Sequence, residues 1–263
     1  NDYPTRYVAD TFHEQRPEDW WEGICKATSD LLQRGEKLGI NRKSVLSLAV
    51  SGHSLVAIPV DGQGQPLLEY VPIWSDTRAT VQTQRFFQEV DYRHWYEMTG
   101  NGDPAECYSI FKLMWLQETL PQIYEKTAAV LGSKDYINYM FTGNMATDFS
   151  YASGSGVYNL REMAYEEDYI KVSGIRRELF LPPQPSHSAV GLVSAWAAEA
   201  TGLVAGTLVA CGGVDNACMA LGTCGIGEGR SYASLGSSCW IATTGCAPIV
   251  DIQYRPFVFA HIA

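Results

Sequence analysis

Basic residues are the scarce class in this chain: 19 lysines and arginines stand against 29 aspartates and glutamates, a formal net charge of −10 over 263 residues. A protein that holds nucleic acid needs a basic face for the phosphate backbone, so nucleic acid is excluded as a main partner. A phosphorylated small molecule is not excluded, because one local nest of backbone N–H groups outweighs a distant acidic surface. Long apolar runs are missing as well, and nothing approaches the ~20 residues of a membrane-spanning helix. Residues 1–12, NDYPTRYVADTF, lack the basic-then-apolar order of a secretory signal. The expectation is a soluble, cytoplasmic protein with no membrane partner. The seven cysteines (Cys25, Cys107, Cys211, Cys218, Cys224, Cys239 and Cys246) form neither a CxxC pair nor a His-partnered metal spacing. They read as reduced, mostly buried thiols, and no metal ligand is assigned. Internal repeats and low-complexity tracts are absent too, which removes repeat architectures from consideration.

What is present suffices for a core. With 46% hydrophobic and 18% charged residues the chain is an ordinary globular protein, long enough for one large domain or two modest ones. The stretch that organises it is 207–244, TLVACGGVDNACMALGTCGIGEGRSYASLGSSCWIATT. Leu208, Val209 and Ala210 read as a buried strand, Gly212-Gly213 as a turn, and Asp215 as the mouth of a small-residue helix over 216–221. A second glycine-rich run, 222–229, leads to Ser234-Leu235-Gly236-Ser237-Ser238. An acid at a helix mouth followed by a Gly/Ser turn suits a site where a hydroxyl meets a phosphate. The acid orients the hydroxyl and takes its proton, while unobstructed N–H groups of the turn hold anionic oxygens. The same residues also fit a tight turn and a helix N-cap, and spacing alone does not choose between these readings.

Along the rest of the chain, Pro17 suits a first helical position, and Trp20, Ile24, Ala27, Leu31 and Leu32 follow at helical spacing until Gly35 closes the helix. The run 45–50 reads as a buried strand ending in Ser51-Gly52-His53-Ser54. Open α/β sheets place ligands just outside the carboxyl ends of such strands, which makes His53 a candidate contact. Residues 55–60, the turn Asp61-Gly62-Gln63-Gly64 and residues 67–70 read as a hairpin that Pro59 and Pro66 confine to an edge. In Trp74-Ser75-Asp76-Thr77-Arg78 the indole offers a sugar an apolar plate and Asp76 and Arg78 two hydrogen-bonding arms. Equally, the acid and the guanidinium can pair with each other and brace the loop. Residues 79–145 are mainly helical, and 147–154 is a hydroxyl-rich loop with capping potential. A sheet with helices between its strands is the architecture, α/β in class.

Several pieces taken in order resemble the FGGY family of carbohydrate kinases: Trp74-Ser75-Asp76-Thr77-Arg78, Lys112 with Trp115 and Leu116, Lys134-Asp135-Tyr136 with Thr142-Gly143, Thr147-Asp148 with Ser150 and Ala152-Ser153, Gly212-Gly213-Val214-Asp215-Asn216, and Ser234-Leu235-Gly236-Ser237-Ser238. The resemblance covers nearly the whole chain from the Trp20-Trp21 helix onward. It implies an actin-like (ribonuclease H-like) ATPase fold of two α/β domains with ATP and sugar in the cleft between them. It also implies transfer of the γ-phosphoryl group of ATP, with Mg2+, to a hydroxyl of a sugar or polyol, a ketose by preference. Asp215 matches the family's general base, Asn216 its sugar-contacting neighbour and Trp240 the aromatic beside the substrate. Ser237, between Gly236 and Ser238, matches the hydroxyl residue that faces the γ-phosphate. Trp74 and the segment Ser51, Gly52, His53, Ser54 match substrate-contact positions of the first domain, with Asp76 and Arg78 beside Trp74.

The chain also departs from the family's pattern. Members that act on xylulose carry Gly-Gln-Met-His where this chain has Gly52-His53-Ser54-Leu55, so Leu55 replaces a sugar-contacting His and His53 stands two positions earlier. The family's opening strand with its Asp-x-Gly-Thr turn has no counterpart here, nor has most of its adenosine pocket. The expectation is an incomplete copy of the fold: 1–228 as the N-terminal sugar-binding domain lacking its initial phosphate-loop hairpin, and 229–263 as the start of the C-terminal nucleotide-binding domain. Such a chain alone is expected to be inactive, and its last strands to associate or order poorly beyond about residue 229. The alternative is a non-catalytic sugar-binding or interaction module. An actin-like ATPase without a sugar substrate would leave Trp74 and Trp240 without a purpose. Whether the chain forms a homo-oligomer stays open.

Overall fold

The computed structural model describes residues 3–235 and 239–262. The strand Leu208–Val214 lies between Ser47–Gly52, parallel to it, and Ala189–Leu192, antiparallel to it. Val209, Cys211 and Val214 are fully buried, as an apolar strand covered on both faces requires. Ser47–Gly52 differs from the buried run expected over 45–50, for it alternates exposed and half-buried residues. It pairs on one side only within the described sheet, and that leaves its other edge open.

The helices Pro17–Lys37, Ser133–Thr142 and Ala195–Thr201 share one apolar cluster with this sheet, built on Trp20, Trp21, Tyr136, Phe141, Ala197 and Val209. Trp21 stacks on Trp196 at 5.4 Å and meets Phe141 edge-on at 5.1 Å, so it is a packing group. Each such buried aromatic contributes roughly 1.5–3 kcal/mol. Pro17–Lys37 runs past Gly35, where a helix end was expected. A glycine inside a helix costs only about 1 kcal/mol, and the left-handed turn that ends the run falls to Gly39, at φ +80°.

A second cluster, around Phe86, Trp95, Tyr108 and Phe111, gathers the helices Thr80–Glu89, Tyr92–Thr99, Ser109–Thr119, Pro121–Lys126 and Glu167–Ser173. The turn after Ile58–Val60 forms as expected, with Asp61 Oδ1 accepting the N–H groups of Gln63 and Gln65 at 2.9 Å. The strand's ladder partner is nevertheless Ala129–Leu131, not the return segment. Pro59 and Pro66 bring no N–H donors, and only a single bridge, Val60 to Pro66, forms on the hairpin side.

Past the hairpin Ser231–Leu235 with Cys239–Thr243, the chain turns back onto residues of its earlier part. Val258 N–H donates to Gly100 O at 2.8 Å, Ala260 N–H donates to Ser153 Oγ at 3.1 Å, and Ile262 packs against Val214, Tyr151 and Ala217. No helix among the described residues is long and apolar enough to cross a membrane.

Candidate active site

Parallel pairing brings the two halves of the site together. Ser51 lies opposite Gly213 and Gly52 opposite Val214, so His53 and Asp215 leave the sheet side by side at the carboxyl ends of adjacent strands. The register shifts between Ala210 and Gly213, where Gly212 takes φ +69°. A Cβ on Gly212 would lie 2.0 Å from Val50 O, so only glycine lets the strands approach there.

Asp215 opens the helix Asp215–Gly222 from its first turn. Val214 holds the N-cap position without a side-chain cap, and Asp215 Oδ1 accepts the Asn216 N–H at 2.8 Å. The residue is exposed, yet the strand ends crowd its carboxyl. That loss of water raises its pKa above the ordinary aspartate value, against the Asn216 N–H and the charge of His53, which hold it down. His53 shows the converse: burial lowers its pKa, and Asp215 pulls it up. The imidazole meets Trp20 edge-on at 6.0 Å. Two buried polar atoms flank the carboxylate without a hydrogen-bond partner among the described residues, His53 Nδ1 and Asn216 Oδ1. Buried polar atoms are rarely left in that state, and a polyhydroxylated ligand would satisfy both.

Trp74 is 49% exposed and free to present its ring. Asp76 and Arg78 are not, which corrects the expectation that they reach a sugar. Both side chains are buried; Asp76 accepts from Arg78 Nε at 2.8 Å and Nη2 at 2.7 Å and from His13 N–H at 2.8 Å, and Arg78 Nη2 also donates to Glu14 at 2.7 Å. The arginine lies over the rings of Phe12 and Trp115. The bracing alternative is the one realised, and it fixes the loop that carries Trp74.

Trp240 is 37% exposed and connects to the site through its hairpin. Its Nε1 donates to Tyr232 Oη at 3.2 Å, and that hydroxyl donates to Asn216 O at 3.0 Å. Ser51 is exposed beside Gly213, whereas Gly52 and Ser54 are half-buried. Gly52 is tightly packed, for a Cβ there would lie 2.6 Å from Ser133 Oγ. Gly236, Ser237 and Ser238, the expected phosphate turn, lie outside the described residues.

The reading of 147–154 as a capping loop missed what stands behind Asp215. Asp148 does cap the short helix Phe149–Ala152, but it also belongs to a fully buried network. Lys134 Nζ lies 2.5 Å from Asp135 Oδ1 and 3.0 Å from Asp148 Oδ1. Ser150 Oγ and Ser186 Oγ donate to Asp148 Oδ2 at 2.5 and 2.7 Å, and Val214 N–H donates to Ser150 Oγ at 3.0 Å. Burial alone would strip the Lys134 proton; the fields of Asp135 and Asp148 hold it charged, above the ordinary lysine value. The chain of bonds ends on the backbone of the residue before Asp215.

The family model of the N-terminal domain of the FGGY family of carbohydrate kinases matches residues 1–222. Among curated proteins, the xylulose kinase of Bacillus subtilis (strain 168) is 31% identical over 238 residues, covering 90% of this chain and 46% of that protein. The xylulose kinase of Streptomyces rubiginosus is 33% identical over 228 residues, covering 86% and 44%. The chain spans about half the length of the curated relatives it matches. Among solved structures, the xylulose kinase from Rhodospirillum rubrum superposes with a TM-score of 0.89 at 24% identity, over 100% of this chain and 53% of that one. The glycerol kinase from Plasmodium falciparum with ADP gives 0.79 at 18% identity, over 92% and 48%. At these identities the likeness is one of fold, the actin-like ATPase fold expected from the motifs.

Proposed function

Because the chain belongs to the FGGY family of carbohydrate kinases and spans about half the length of its curated relatives, we propose that it is inactive alone and that a protein of its relatives' full length carrying it phosphorylates a hydroxyl on a ketose or polyol with ATP, with Asp215 as the general base. The observation that carries this reading is the cluster at the strand ends: an accessible carboxylate flanked by two buried polar atoms, His53 Nδ1 and Asn216 Oδ1, that lack partners among the described residues. Trp74 and Trp240 supply exposed aromatic faces for the apolar side of a sugar ring or chain.

Phosphoryl transfer passes through a loose transition state, so positioning of the hydroxyl and uptake of its proton are the protein's main tasks on this side of the site. Asp215 suits the second task, because a carboxylate whose pKa is raised by crowding accepts a proton more readily than an ordinary one. Its Oδ1 is oriented by the Asn216 N–H, and Val214 anchors it through Ser150. ATP, when bound, supplies the phosphoryl group. Among the described residues no group of three His, Cys, Asp or Glu side chains is arranged to hold a metal. No magnesium ligand is therefore assigned, and no step is routed through the ion.

A ketose is favoured because the curated relatives quoted above are named xylulose kinases. Leu55, at the position of the sugar-contacting His in xylulose-specific members, is 6% exposed and packs toward Gly154. His53 then stands in for the missing imidazole on the site side. The cysteines are all free, which fits a reducing cytoplasmic setting. A coupled assay for ADP release by the full-length protein over a panel of ketoses, aldoses and polyols tests the reading. Turnover with ketoses above the aldose background supports it, whereas calorimetric binding of sugar without any ATP binding or turnover favours the binding-module alternative.

A further inference from the structure

Lys112 lies on the helix Ser109–Thr119 and is 2% exposed. Its Nζ donates to Leu55 O at 2.8 Å and to Ile73 O at 2.7 Å, carbonyls 57 and 39 residues away in sequence. Among the described residues it forms no ion pair, so its charge is spent on backbone oxygens. The two carbonyls belong to the two loops that line the acceptor side of the site. Leu55 directly follows Ser51-Gly52-His53-Ser54, and Ile73 directly precedes Trp74. Leu55 sits at φ +62°, a backbone conformation that a side chain with a Cβ holds only when its surroundings over-determine it. Burying an ammonium is costly, and a methionine would fill the space without that cost. What the methionine could not do is make two charge-assisted bonds across the gap between loops.

We propose that Lys112 is a positioning residue, whose ammonium clamps the loop of His53 to the loop of Trp74 and thereby sets the spacing of the acceptor side. The clamp rests on geometry alone; its consequence for substrate rests on the kinase reading above.

Burial brings Lys112 down to about 8, against the pull of Cys107 and Asp76, while Arg78 acts with burial. These are the groups that face it, Cys107 from the short helix Ala105–Cys107 and the other two from the Trp74 loop. Burial pushes the Cys107 thiol up to about 11, and the Asp76 and Glu14 partners hold Arg78 above its usual value. Lys112 is therefore the group of this cluster that loses charge as pH rises through about 8. A neutral amine keeps N–H donors but loses the charge assistance, so the clamp loosens above that pH.

Hydrogen exchange read by mass spectrometry tests the clamp on the chain as it stands, without substrate. In peptides spanning 52–56 and 72–76, protection corrected for the intrinsic rate should fall roughly tenfold between about pH 7 and about pH 9.5. Lys112→Met should show the low protection at every pH. Wild-type protection of both peptides in a folded Lys112→Met, or in Lys112→Gln should the first fail to fold, overturns the clamp, and a flat wild-type profile overturns its loosening with pH. In the full-length protein with xylulose and ATP, KM for xylulose should rise over the same interval while kcat moves less than about twofold. A KM that ignores the exchange step overturns the link to the acceptor side. Absence of turnover with every ketose by that full-length protein would instead sink the kinase reading, and the exchange step would still decide the clamp.

Discussion

His53 and Asp215 stand on neighbouring strand ends, and each displaces the other's proton equilibrium. Burial keeps His53 below the ordinary imidazole value of 6.5 although Asp215 pulls it upward. Below pH 6.5 the unfolded chain therefore binds a proton that the native chain refuses, and stability present above that pH is lost as pH falls through the folded value. The urea midpoint of the wild type should drop faster on acidification from about pH 7 to about pH 5.5 than that of His53→Gln. Parallel slopes for the two would show that His53 is not held neutral. That His53 would stand at a strand's carboxyl end was legible, because the strand ends in small and polar residues. The fate of Asp76 and Arg78 was legible only as an alternative. The deciding partner, Glu14, lies 64 residues from Arg78, and nothing local in the sequence announces an ion pair across that distance.

The helix Ser133–Thr142 does more than cover the sheet. Asn138 Nδ2 donates to Cys211 O at 2.7 Å, and Lys134 reaches Asp148, which reaches Ser150 and so Val214. The strand end before Asp215 is thus fastened from behind by a buried network to which three elements contribute. Asp148→Ala would leave Lys134 with an incomplete set of partners and Ser150 without its acceptor. Removing one member of a buried ion pair costs about 3–5 kcal/mol, so its urea unfolding midpoint should fall accordingly. A loss under about 1 kcal/mol would mean the network is replaceable by water. In sequence, Lys134-Asp135 looks like an ordinary helix start and Asp148 like an ordinary cap, because each also performs that local task. The strand Leu208–Val214, by contrast, was readable at its apolar start, although Gly212-Gly213, read as a turn, lies within it at a shift of register. The partner of Ile58–Val60 was not, since the turn signal after it was real and the competing strand lies about 70 residues on.

At the scale of the whole molecule, two apolar clusters and a three-stranded sheet hold one open rim where Asp215, Asn216 and His53 meet. The fold class was legible because motif order, not any one motif, carried it. The course of 250–262 was not, for its anchors at Gly100 and Ser153 are more than a hundred residues upstream and carry no pattern of their own. The hairpin before it leaves Leu235 and Ile241 exposed. In the proposed reaction the hydroxyl proton passes to Asp215. The direct test is kcat for ketose phosphorylation by Asp215→Asn against wild type in the full-length protein, with circular dichroism to verify the fold. Loss of a general base predicts a fall of roughly 10²–10⁴-fold at an unchanged spectrum; a kcat within about twofold of wild type would contradict the assignment.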